Sequence, residues 1–254
     1  CTSENEIFLA QGLDEYVYHE EYAPIYYNEY SYTQQLFTSS ELGLTGQNLI
    51  TKIWFYYKTS SSDPIEAPLS MYMGNTAESD LSGGWITDIT KVVANKTVEF
   101  YNGWNEIELE RPFLYDATKN LVVAVSADPV DYTDYFYSVT VSGQYCRYAN
   151  SGSSFTIINK VPSGNNGNIN EDSRGYYRPI MVFCATKQFS LTYAGGTTCA
   201  SCATPGTVEA TSLPAQQSGY GLVRLSNVEP ICSAPHSTFV GWSKTPGGTD
   251  GANN

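Results

Sequence analysis

The chain has 254 residues, 15% of them charged, 41% hydrophobic and 14% aromatic, with 26 acidic side chains against 13 basic ones and a formal charge of −13. At ~100–200 residues per domain, this is one large domain or two smaller ones, with ample length for a core. The balance of charge excludes the clustered cationic face that a nucleic acid or an anionic membrane requires, and no run approaches the ~18 apolar residues of a membrane helix.

The charged fraction lies well below the ~25% of an average soluble protein, so Tyr, Thr, Ser, Asn and Gly must cover the surface, as in secreted all-β proteins. The six cysteines, Cys1, Cys146, Cys184, Cys199, Cys202 and Cys232, fit an oxidising compartment without fixing a pairing. Residues 1–21 read as an acidic tether, since positions 1–51 hold eight Asp or Glu and no Lys or Arg. Cys1, followed by Thr2-Ser3-Glu4-Asn5-Glu6, resembles the lipidated start of a bacterial lipoprotein. A thioether-linked diacylglycerol with an amide-linked chain would give the two or more acyl chains that stable anchoring needs. A membrane would then be touched only through that lipid.

Helical periodicity is hard to find, and strand signals recur instead. Leu49–Lys58 is rich in β-branched and aromatic residues and runs into a Ser-Ser-Ser-Asp-Pro loop. Leu69–Met73 alternates before Gly74-Asn75. Thr97–Tyr101 alternates Val98 and Phe100 with polar neighbours and turns at Asn102-Gly103. Trp104–Leu109 is expected to point Trp104, Ile107 and Leu109 inward, with Glu106, Glu108 and Glu110 on the solvent side of an edge strand. Leu121–Ser126 is continuously apolar, as in a strand buried on both faces. Phe155–Ile158 and Ile180–Cys184 complete seven to nine short strands, with long loops expected at 59–68, 74–96 and 159–177. This is the pattern of a sandwich or jelly roll. Composition shifts after Lys187, where QFSLTY is followed by a Gly-, Thr- and Cys-rich turn. Further strands are expected at Gly221–Leu225 and Thr238–Trp242, and residues 245–254 read as a polar end.

Two stretches carry a resemblance. Pro24–Phe37 with Ser40-Glu41-Leu42-Gly43, Ile53-Trp54-Phe55-Tyr56, Met71–Thr76, Gly103-Trp104-Asn105, Pro112-Phe113, Asn120–Val125 and Tyr177-Arg178-Pro179-Ile180 resembles a jelly-roll module of Bacteroidota surface proteins. Thr192–Thr197, Ser212-Leu213-Pro214, Cys232 and Phe239–Ser243 resembles the internalin-type (Listeria–Bacteroides) repeat, whose closing strand is missing here. The resemblance implies an all-β chain, with a jelly-roll β-sandwich over 22–186 and a partial, β-grasp-like repeat over 187–254. It implies display at the outer membrane or secretion, and neither family is known for a catalytic site.

No hydrolase triad is legible. The two histidines, His19 and His236, sit in no motif, and no Gly-x-Ser-x-Gly elbow is present. The chain is expected not to be an enzyme. Cys199-x2-Cys202 with Cys232-x3-His236 has zinc-like composition, but the long middle gap and the oxidising setting favour a disulfide. The repeat resemblance puts that bond between Cys232 and Cys199 or Cys202; a Cys199–Cys202 bond is the alternative. Cys146 and Cys184, on two expected strands, could pair likewise. No cofactor is indicated apart from calcium, for which Asp128, Asp131 and Asp134 supply carboxylates at i, i+3 and i+6, and 165–172 adds amide and carboxylate oxygens. A solvated acidic loop explains the same residues.

The functional hint lies in the tyrosines, seven between Tyr16 and Tyr32 and five between Tyr132 and Tyr148. Rigid amphipathic rings give contact area at low entropic cost. The expected role is a non-catalytic surface binding or adhesion module with a protein or glycan ligand. Three alternatives are a carbohydrate-binding module of a glycan-uptake system, stacking sugars on Trp85, Trp104, Tyr132 and Tyr135, an accessory domain of a secreted hydrolase, and a structural subunit with envelope-assembly partners.

Overall fold

A computed structural model describes residues 6–9, 24–26, 29–131, 135–152, 155–158, 161–164, 170–175 and 177–187. The chain divides between 187 and 188 into two units, and the described residues all belong to the first. In chain order they form β1 (Glu6–Leu9), β2 (Tyr30–Phe37), α1 (Ser39–Leu42), β3 (Gln47–Lys58), β4 (Ile65–Thr76), β5 (Thr90–Phe100), β6 (Gly103–Asp116) and β7 (Asn120–Ala127). There follow β8 (Tyr135–Phe136), β9 (Ser138–Thr140), β10 (Cys146–Ser151), β11 (Phe155–Ile158), β12 (Val161–Gly164), β13 (Asn170–Gly175), β14 (Tyr177–Pro179) and β15 (Met181–Lys187).

Pairing defines the architecture. β1 pairs with β15, β2 with β7, β3 with β6 and β4 with β5, all antiparallel. First with last and so on inward, this is one long hairpin rolled into two sheets, β1-β15-β3-β6 and β2-β7-β4-β5, which is a jelly roll. The stretch between β7 and β15 is an insertion into that roll. It adds β8 to the edge of β3, making a five-stranded sheet, and adds β10 and β13 beyond β2, making a six-stranded one.

Pleat alternation sends one side of each strand between the sheets. Ile53, Phe55 and Tyr57 of β3 meet Met71 and Met73 of β4, Val123 and Val125 of β7, and Phe183 of β15 in a single core. Leu121–Val125 is fully buried, as its apolar run predicts. The other face of β7 is covered too, because Val122 and Ala124 join Tyr32, Leu36 and Tyr72 under the strap formed by residues 77–89. That strap crosses so close to β4 that a Cβ on Gly74 would collide with the carbonyl oxygen of Asp88, so only glycine fits. Pro112, which cannot donate to a ladder, sits inside β6 where the pairing with β3 shifts register between Ile50 and Lys52, a bulge that tolerates it.

Several sequence expectations change. The loop expected at 74–96 shrinks to 77–89, because β4 runs to Thr76 and β5 starts at Thr90. Residues 159–177 contain parts of β12, β13 and β14 rather than one long loop. Trp104 does not point inward. Asn105, Ile107 and Leu109 are buried while Trp104 is 39% exposed, since it shares the outward parity of Glu106, Glu108 and Glu110. Those three glutamates do lie on the outside of an edge strand.

Candidate functional site: an aromatic row on the five-stranded sheet

β6, β3, β8 and the residue after β8 bring four rings into one row across the outer face. Tyr56 of β3 faces Trp104 of β6 in the ladder, and on its other side the backbone N–H of Tyr137 donates to the Tyr56 carbonyl at 3.0 Å. The rings of Tyr56 and Tyr137 stack with centroids 4.7 Å apart and planes 26° from parallel. Neighbouring strands are spaced ~4.7–4.9 Å, a separation at which rings on adjacent backbones can stack. Trp104 closes the other side of Tyr56 at 5.2 Å and 87°, and Tyr135 tilts against Tyr137 at 5.8 Å and 50°. Edge-to-face contacts of this kind satisfy the ring quadrupoles and hold the row rigid.

Charge is arranged beside the rings. Trp54 lies opposite Glu106, and Lys52 opposite Glu108. The Lys52 ammonium donates diagonally to Glu106 at 2.6 Å. That hydrogen bond holds the Lys52 ammonium above its usual range. Lys58 faces Tyr135.

The expected aromatic residues therefore separate. Trp104 and Tyr135 are the two ends of the row, whose middle members, Tyr56 and Tyr137, the sequence reading did not single out. Their signal was present in β3, where Trp54, Tyr56 and Lys58 share one parity. Trp85 is on the opposite face of the sandwich. It belongs to the strap, 5.1 Å from the Tyr32 ring, with the Arg147 guanidinium 5.0 Å over the indole and the buried indole N–H without a hydrogen-bond acceptor. Trp85 and Trp104 cannot share one ligand platform. Tyr132 lies outside the described residues.

The strap is held by a buried side chain. The amide of Gln34 donates to the Ile86 carbonyl at 2.8 Å and accepts from the Ile86 N–H at 2.9 Å. Burial pushes the neighbouring Tyr32 phenol well above its ordinary range.

Cys146 and Cys184 do not pair. Cys146 is a free, buried thiol directly opposite Gln35 on the inner side of the six-stranded sheet. Cys184 stands opposite Lys52, on the outer side of the other sheet, and sheets pack ~10 Å apart. Cys184 is itself disulfide-bonded. Cys1, Cys199, Cys202, Cys232, His19 and His236 lie outside the described residues, as does Asp134. Asp128 and Asp131 are exposed, and among the described residues no group of three His, Cys, Asp or Glu is placed to hold a metal ion. Among them, too, no helix is long and apolar enough to cross a membrane.

No family model matches the chain, and no curated protein matches it in sequence.

Proposed function

We propose that the chain is a non-catalytic binding module displayed outside the cytoplasm, whose ligand docks on the row Trp104–Tyr56–Tyr137–Tyr135. The observation that carries this reading is the row itself: four packed rings, from β6, β3, β8 and the residue after β8, with Trp104 39% exposed at its end. Rigid aromatics lose little entropy on binding and are the anchors that dominate interfaces. The disulfide at Cys184 and the low charged fraction support an oxidising, extracytoplasmic setting, in keeping with the resemblance to bacterial surface modules.

A protein ligand suits the row better than a glycan. Sugars stack on open ring faces, whereas Tyr56 is already stacked against Tyr137 and in perpendicular contact with Trp104. The test is to probe an array of glycans and displayed peptides with the whole chain and with Tyr56→Ala. Peptide signals that vanish in the variant support the reading. Signals confined to glycans, or unchanged by Tyr56→Ala, overturn it.

A further inference from the structure

Resting on the binding role proposed above, we infer that the ligand is an extended basic polypeptide, with Lys or Arg at alternate positions, lying along the outward side of β6. Trp104, Glu106, Glu108 and Glu110 all face outward on that strand. At ~3.4 Å per residue, alternate positions recur every ~6.8 Å. An extended polypeptide repeats its same-side groups at the same interval, so successive cations would meet successive members of the series.

The charge is only partly compensated, one lysine standing against three glutamates. Of the three carboxylates, Glu106 is paired with Lys52 and Glu110 accepts the backbone N–H of Ala94 at 3.1 Å. Lys52 is the cation that the ladder sets opposite these positions, facing Glu108. A formal charge of −13 over the chain would steer a basic partner in and repel an acidic one. At the head of the series stands the exposed indole of Trp104, the side chain that best accepts a Lys or Arg over its face. Tyr101, 49% exposed at the neighbouring hairpin tip with its hydroxyl donating to Glu99, continues the same acidic, aromatic chemistry around the corner.

The experiment uses the full chain and four synthetic peptides: Lys-Thr alternating, the same composition with the lysines in one block, Gln-Thr alternating and Glu-Thr alternating. Binding is read by tryptophan fluorescence and calorimetry at low and high salt. The expected result is that the alternating Lys-Thr peptide binds best, loses affinity as salt rises, and binds about ten-fold more weakly to the Glu106→Gln/Glu108→Gln double variant. No binding of the Lys-Thr peptide, or binding indifferent to the double variant, overturns the inference. Equal binding of the neutral peptide, still lost in Trp104→Ala, overturns the charge assignment alone and leaves the aromatic row as the binding face. Array signals that also survive Trp104→Ala remove both.

Discussion

Arg178 and Glu41, 137 positions apart in sequence, form a two-pronged ion pair: one guanidinium nitrogen donates at 2.8 Å and the other at 3.2 Å. The same guanidinium donates to the Leu36 carbonyl at 2.7 Å and lies 4.3 Å over the Phe37 ring. Glu41 also completes a capping box with Thr38 at the start of α1. One side chain from the last part of the insertion thus ties down the turn after β2. Arg178→Met should cost about 3 kcal/mol, because it strands a partly buried carboxylate. Arg178→Lys should recover only part, since an ammonium lacks the two-pronged geometry. Denaturant unfolding of both variants checks this; equal stability of wild type and Arg178→Met would contradict it.

The pair also sets a pH dependence. Burial works against the charged carboxyl of Glu41, but the hydrogen bonds from Arg178 outweigh it and hold the group below its ordinary range. A lowered folded-state value means that the stabilisation is present above the unfolded carboxylate range, near ~4.3, and is lost as pH falls through the lower folded value. Melting temperature should therefore fall on acidification less steeply in Glu41→Gln than in wild type. Parallel curves would show that the pair carries no proton linkage.

Gln34 and Gly74 hold the strap. Gln34→Ala leaves the Ile86 N–H and carbonyl without partners in a buried setting, at a cost of about 2–4 kcal/mol. Gly74→Ala should destabilise as well, because the added methyl meets the Asp88 backbone. Both should raise hydrogen exchange in 77–89 more than in β3. Uniform loss of protection would mean that the strap is not a separate element.

Glu66 and Glu99 face each other directly across β4 and β5, and like charges in that relation repel. Glu66→Lys should raise stability by about 0.2–1 kcal/mol. Thermal melts at low and high salt report the change and its screening; an unchanged or lower melting temperature at low salt would count against the repulsion.

Cys146 should be inert while the protein is folded. Burial pushes its thiol up to about 12, so almost no thiolate is present to react. Alkylation followed by peptide mass mapping should label Cys146 only after unfolding. Labelling of the native protein at neutral pH would show that the site opens.

The long apolar or alternating strands were legible in the sequence because period-two patterning reports a core face directly. β3, β4, β6 and β7 fall where Leu49–Lys58, Leu69–Met73, Trp104–Leu109 and Leu121–Ser126 put them. β2 was not legible as a strand. Ser31, Thr33, Gln34 and Gln35 look like a polar segment, yet all four are fully buried: Gln34 bonds the strap at Ile86, Ser31 accepts from the Tyr26 N–H, Thr33 donates to the Pro24 carbonyl and Gln35 donates to Thr33. The row was half legible. Trp104 and Tyr135 stand out as aromatic residues, but only the insertion of β8 beside β3 brings Tyr137 onto Tyr56, and no local pattern encodes that register.

The most direct measurement of the central claim is a pair of dissociation constants, taken with the strongest array ligand, for Trp104→Ala and for Leu114→Ala. Leu114 is 50% exposed on the same strand, beyond the bulge and away from the row. If the row is the binding face, Trp104→Ala should weaken binding about 30-fold, as for an interface anchor, while Leu114→Ala stays within about two-fold of wild type. Unchanged affinity in Trp104→Ala, with fold and melting temperature intact, would show that the ligand binds elsewhere.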